Sequence, residues 1–226
     1  MGSARIRKSD GSGGLKFKRN LTINWLIETE LNAETLVGSD GDLVYAISFG
    51  DPYSSDIKGP ISILETPFQY HRSSSDISLE SSTGNRHKLT DGPFFKLLKS
   101  NLTNELKSLA SLGVWNDNLP PDCHLNLTLK NLVSDGVYQI RCMFIDGKNK
   151  VSPRLFLGPG NHEINYDRQA GLVAVGTFTA PEAEIIIRIA SGSEAPPHIN
   201  AIVLRRVGYN PRVGITGLRT IFSSKR

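Results

Sequence analysis

Cys123, Leu125, Leu127 and Leu129 alternate with His124, Asn126, Thr128 and Lys130. Beyond the turn-rich stretch 131 to 137, Tyr138, Ile140, Cys142 and Phe144 alternate with Gln139, Arg141 and Met143. A period of two places every second side chain on one face of an extended strand, whereas a helix would scatter the same residues around its circumference. Two such runs demand a sheet with one buried face, and their closeness in sequence predicts an antiparallel hairpin with one wet face.

Other segments follow the same rule. Asp42 to Gly50 (DLVYAISFG) is a nearly continuous apolar run, as a strand in the core requires, and Gly59 to Phe68 alternates like a half-buried strand. Ser73 to Asp91 is polar and turn-rich, which predicts a loop or an irregular hairpin. Further strands are expected at Ser152 to Leu157, Gly171 to Thr179, Glu184 to Ala190 and Ile199 to Val207, each bounded by Gly, Pro, Asn or Asp. About eight strands so spaced give a mainly β fold, an antiparallel β-sandwich of the jelly-roll kind. One helical insert is expected at about 93 to 112, because Phe94, Phe95, Leu98, Leu102, Leu106, Leu109 and Leu112 recur at steps of three and four. Pro93 suits its first turn and Gly113 its C-terminal stop.

Charge divides the chain. Residues 1 to 20 carry six Lys or Arg against Asp10, residues 205 to 226 carry six Arg or Lys and no acid, and the body between them is acidic although the whole is +4. The domain plan is therefore a flexible basic arm (1–20), a sandwich domain (21–208) and a basic tail (209–226). Basic ends offer self-association or contact with an anionic partner, and equally keep the termini soluble. No apolar run reaches the roughly 18 residues of a membrane span, and the first thirty residues lack the apolar stretch of a secretory signal, so localisation stays open. Cys123 and Cys142 fall in phase with inward-facing residues and are either joined or buried as thiols.

Catalytic patterns are sparse. His71, His87, His124, His162 and His198 are scattered without zinc-motif spacing, and no phosphate-binding glycine loop occurs. Carboxylate pairs such as Glu182 with Glu184 flank expected strands, which suits solvated strand ends. Asp40, Asp42 and Asp51 supply hard oxygen ligands near strand ends, leaving calcium as the one cofactor with any basis. The expectation is a protein without enzymatic activity.

Three segments carry a resemblance. Pro197-His198-Ile199-Asn200-Ala201-Ile202-Val203-Leu204, Leu43-Val44-Tyr45-Ala46-Ile47-Ser48-Phe49-Gly50, and Leu129 to Leu132 with Gly136 to Arg141 resemble the closing strand, opening strand and central hairpin of malectin-like, galactose-binding-type β-sandwich domains. The family's Arg-bearing strand would place its arginine at Arg154. The family's cluster of ligand-facing tyrosines has no plain counterpart here, and the insert after Pro93 is longer than its simplest members need.

The resemblance implies a carbohydrate ligand held by loops at one end of the sandwich. An aromatic ring would stack on the sugar, and planar polar groups would bond its hydroxyls. The candidates are Trp115 and Tyr53 for stacking, with Asp51, Asp117, Glu194 and His198 around them. Trp115 serves equally as a core residue beside the helix. The leading expectation is a non-catalytic, lectin-like carbohydrate-binding module. Its rival is a shell- or coat-like assembly subunit that uses its basic ends.

Overall fold

The two alternating runs form strands as expected, but they lie in different sheets. The computed structural model describes residues 20–28, 30–50, 61–81, 89–93, 102–116, 123–146, 154–167, 170–192 and 196–209. The strands are β1 (Asn24–Glu28), β2 (Asp42–Ser48), β3 (Ser62–Ile63), β4 (Thr66–Pro67), β5 (Gln69–Tyr70), β6 (Ile77–Ser81), β7 (Leu89–Pro93), β8 (Leu112–Asn116), β9 (His124–Leu129), β10 (Gly136–Phe144), β11 (Arg154–Leu157), β12 (His162–Asn165), β13 (Leu172–Thr179), β14 (Ile185–Ser191), β15 (His198–Ile199) and β16 (Ala201–Tyr209). Helix α1 (Ala33–Val37) precedes β2, and α2 (Asn104–Ala110) precedes β8.

A six-stranded sheet runs β1-β13-β10-β16-β2-β5 and a five-stranded sheet runs β12-β11-β14-β9-β6. β9 pairs with β14 and β6, while β10 pairs with β13 and β16. The expected β9–β10 hairpin is therefore replaced by a crossing from one sheet to the other. The inward residues of the two strands, Leu125, Leu127 and Leu129 against Tyr138, Ile140, Cys142 and Phe144, meet in one core between the sheets. Alternation selects the buried face of a strand but is silent about its neighbour. The crossing is held by the Tyr138 hydroxyl, which accepts from Val133 N at 2.7 Å, and by Asp135 N, which donates to Ala180 O at 2.8 Å. Cys123 and Cys142 are both buried thiols, so they are not joined.

The six-stranded sheet is buried on its second face as well. Ala46, Met143, Val173, Val175, Ala201 and Val203 face a second core made with Leu36 and Val37 of α1, Leu106 and Leu109 of α2, and Ile61, Ile63 and Phe68 around the β3–β4 pair. This explains why β13 and β16 are nearly all apolar in their buried stretches, as strands covered on both sides must be. Helix α1 has only five residues and is fixed at both ends. Thr35 N donates to Asn32 Oδ1 at 2.8 Å, and Asn32 N donates to Thr35 Oγ1 at 3.1 Å. At its C-terminus Arg141 donates to Thr35 O, and Arg205 Nε donates to Val37 O at 2.9 Å, cations set against orphan carbonyls. Gly38 sits at φ +62°, where a Cβ would lie 2.5 Å from Arg141 Nε, so a side chain there would expel the arginine.

Among the described residues the insert's helix reaches neither expected end. Within the described residues the helix spans Asn104–Ala110, opened by Thr103, whose side chain accepts from Leu106 N at 3.3 Å. Pro93 ends β7, and Leu112 and Gly113 belong to β8, with Gly92 opposite Gly113. Gly113 is a strand residue because β8 packs tightly on Gly50, where an added Cβ would meet Gly113 N and Leu112 Cβ at 2.5 Å. Residues 94–101 lie outside the described residues. Within the expected strand Gly59 to Phe68, the described residues form a tight β3–β4 hairpin, turned at Leu64 and Glu65 with φ of 46° and 62°. Within the expected loop Ser73 to Asp91, β6 forms an edge of the five-stranded sheet.

Candidate functional site

The strand directions bring one set of ends together. β2 and β10 finish, and β13 and β16 begin, at the same end of the six-stranded sheet. β9 and β11 begin, and β14 finishes, at one end of the five-stranded sheet. Tyr166 and His198 join these ends into a single pole. Asn116 N donates to Pro197 O at 3.1 Å, and Gly50 lies against Gly113, so the stems of three loops named by the sequence stand side by side. Asp51, Tyr53, Asp117 and Glu194 themselves lie outside the described residues, as do residues 1–19 and 210–226 with their basic charge.

Trp115 and His198 are described, and both are interior. Trp115 in β8 is 9% exposed, and its cross-strand partner His198 in β15 is 1% exposed. His198 Nδ1 lies 3.0 Å from Pro196 O, and Nε2 is hydrogen-bonded to the Tyr166 hydroxyl. A carbonyl only accepts, so Nδ1 carries the proton and Nε2 accepts from Tyr166. Burial lowers the His198 pKa, opposed by the nearby Asp146 carboxylate and the Pro196 bond, which keeps the ring neutral as this pairing requires. Burial also raises the Tyr166 phenol, helped by Asp146. The set ties together the chain after β10, the chain after β12 and the start of β15; it presents little to solvent.

Asn200, the break between β15 and β16, anchors the same region. Its Oδ1 accepts from Ile145 N at 2.9 Å, and its Nδ2 donates to Leu112 O at 2.8 Å and Ala110 O at 3.2 Å. Its backbone N donates to Met143 O and its carbonyl accepts from Phe49 N. One fully buried side chain thus fastens α2 and β8 to the six-stranded sheet.

The outer face of the five-stranded sheet is different: Glu80, Arg154, Ile186 and Arg188 are exposed on it, while Thr128 is buried. Register aligns Glu163, Phe156, Ala190 and His124 in one row across β12, β11, β14 and β9. The next row aligns Arg188, Asn126 and Glu80 across β14, β9 and β6, with Gly158 N donating to Arg188 O at 2.7 Å on the other flank. Arg154 and Arg188 are exposed, and Phe156, His124 and Asn126 are half-buried. The Phe156 ring lies over Gly192, where a Cβ would come within 2.4 Å of Cε2, and the Arg154 guanidinium sits 5.8 Å from the ring centroid. Arg154 Nε is held by Gly192 O at 2.8 Å. Ala190 and Gly192 are the small residues of this region, and the Phe156 ring fills the space over Gly192. Sequence alternation marked His124 and Asn126 as outward-facing, but nothing in it grouped them with Phe156 and Arg188.

The carboxylates proposed for calcium are partly committed. Asp42 accepts from Arg206 Nη2 at 3.3 Å, and Gly41 O accepts from Arg205 Nη1 at 2.9 Å. Among the described residues no group of three or more His, Cys, Asp or Glu is placed to hold a metal.

No family model matches the chain, and no curated protein matches it. Among solved structures it is similar to the enzymatically active domain of tailspike protein 4 from bacteriophage CBA120, at 13% identity and a TM-score of 0.30. That match covers 60% of this chain and 19% of the tailspike chain.

Proposed function

We propose that the chain is a non-catalytic carbohydrate-binding β-sandwich whose ligand lies on the outer face of the five-stranded sheet. The observation that carries this is the Phe156–Ala190–His124 row, flanked by Arg154, Arg188, Asn126 and Glu80. A sugar ring has an apolar CH face and a rim of hydroxyls, so it is matched by an aromatic surface with planar donors and acceptors around it. The malectin-like resemblance favours the same ligand class but a different location, the loops at the pole. Trp115, its main stacking candidate, keeps 9% of its surface exposed, which moves the preferred site to the sheet.

A binding role suits the carboxylates of this face better than hydrolysis. Glu163 and Glu80 stand on the two edge strands, β12 and β6, with three strands between them. Four inter-strand steps of about 4.8 Å separate their backbones by roughly 19 Å. Paired glycosidase carboxylates work at about 5 to 9.5 Å.

A glycan-array screen of the full chain beside Phe156→Ala tests the proposal. The expected result is saccharide binding that falls about tenfold in the variant, the equivalent of one stacking contact, with unchanged circular dichroism. Saccharide binding that ignores Phe156→Ala would overturn the sheet-face site, and an array silent at high protein concentration would overturn the carbohydrate reading.

A further inference from the structure

We infer that the ligand of this face is an acidic saccharide, its carboxylate received by Arg188; the inference rests on the carbohydrate reading above. Arg188 lies on β14, the middle strand of the five, with its side chain exposed. No hydrogen bond or ion pair among the described residues ties its guanidinium. Its cross-strand neighbour is Asn126, a neutral donor and acceptor, and the nearest carboxylate in its row, Glu80, lies one strand further off. On the other flank Gly158 offers no side chain; a Cβ there would press on Arg188 Cβ at 3.3 Å.

A second cation, Arg154, lies over the Phe156 ring with its Nε held by Gly192 O. Arg154, Phe156 and Gly158 follow one another at two-residue steps along the outer face of β11 and its continuation, and Arg188 stands beside Gly158. The two arginines thus stand about 13 Å apart along the strand direction, at about 3.3 Å per residue, with Phe156 between them in register. A guanidinium fork matches a carboxylate in two parallel hydrogen bonds, which makes an unengaged arginine on a polar sheet a recognition group of defined geometry. A neutral glycan would gain from Phe156 and Asn126 but leave the Arg188 guanidinium unused.

The test compares a uronic-acid oligosaccharide with its methyl ester, identical in skeleton but uncharged, by calorimetry on the full chain and on Arg188→Gln and Arg188→Lys. The acid is expected to bind at least tenfold more tightly than the ester. Arg188→Gln should remove that preference, bringing acid and ester to equal affinity, while Arg188→Lys restores part of it. Equal affinity for acid and ester, with Phe156→Ala weakening both, would overturn this inference and leave the carbohydrate reading standing. Failure of either to bind, with a silent array, would overturn both. Competition by polyglutamate as effective as by the free acid would show an anion site without sugar recognition, which also overturns it.

Discussion

Trp115 and His198 face one another across the β8–β15 pair, and both side chains are withdrawn from solvent. Their pairing closes the pole at which β2, β10, β13 and β16 meet. Trp115→Ala should therefore act on stability, costing about 3 to 5 kcal/mol as large-to-small core replacements do, with a smaller loss for Trp115→Phe. Urea denaturation followed by circular dichroism measures it. Loss of saccharide binding by Trp115→Phe at unchanged stability would return the ligand site to the pole.

Acid should loosen the same region. His198 is held neutral by burial with its pKa below the ordinary histidine value of about 6.5. Between the folded and unfolded pKa values the unfolded chain binds more protons, so its stability contribution is full above about pH 6.5 and is lost as pH falls toward the lower, folded value. The groups facing the ring are Tyr166, Asp146 and the Pro196 carbonyl, with the Phe144 ring edge-on at 6.3 Å. Unfolding free energies measured from pH 8 to pH 5 should decline more steeply for the native chain than for His198→Gln, which has no titrating ring.

Asn200 should tolerate almost nothing. Asn200→Ala leaves Ile145 N and the carbonyls of Ala110 and Leu112 without their partner in a fully buried site. At about 1 to 3 kcal/mol for each stranded group, a loss of about 3 kcal/mol or more is expected. Asn200→Asp should be no milder, since a carboxylate would face two carbonyl oxygens. Thermal unfolding gives the size, and faster amide exchange at Ile145 would locate the damage.

Gly192→Ala separates the outer face from the fold. Its Cβ would fall 2.4 Å from Phe156 Cε2 and 2.9 Å from Arg154 Nε, displacing the ring and the guanidinium while leaving the core between the sheets alone. Stability should change by about 1 kcal/mol or less, and saccharide affinity should drop as in Phe156→Ala. An unchanged affinity would show that the ring's seat on Gly192 is irrelevant to the ligand.

How far the sequence reached differs between the two cores. The central strands were legible because their constraints are local: Tyr138, Ile140, Cys142 and Phe144 must point one way and Leu125, Leu127 and Leu129 another, whatever the strands pair with. β1 escaped notice because Asn24 to Glu28 has no clean alternation, with Leu26 left 62% exposed at the sheet edge. The insert misled because Leu106, Leu109 and Leu112 keep helical spacing although Leu112 reaches the second core from a strand. The candidate site was less legible still, since an outward-facing His124 looks the same in sequence whether or not Phe156 lies two strands away.

By itself, then, the sequence determined that the chain would be mainly β, which residues of its central strands would be buried, and that Cys123 and Cys142 would be interior. Tertiary structure alone decided that β9 and β10 face each other across the core, that a second layer covers the six-stranded sheet, that Trp115 is enclosed, and that Arg154, Phe156 and Arg188 share one face of the five-stranded sheet. The physical reason is that side-chain alternation is written residue by residue, whereas strand partners are chosen by how whole faces of distant segments pack.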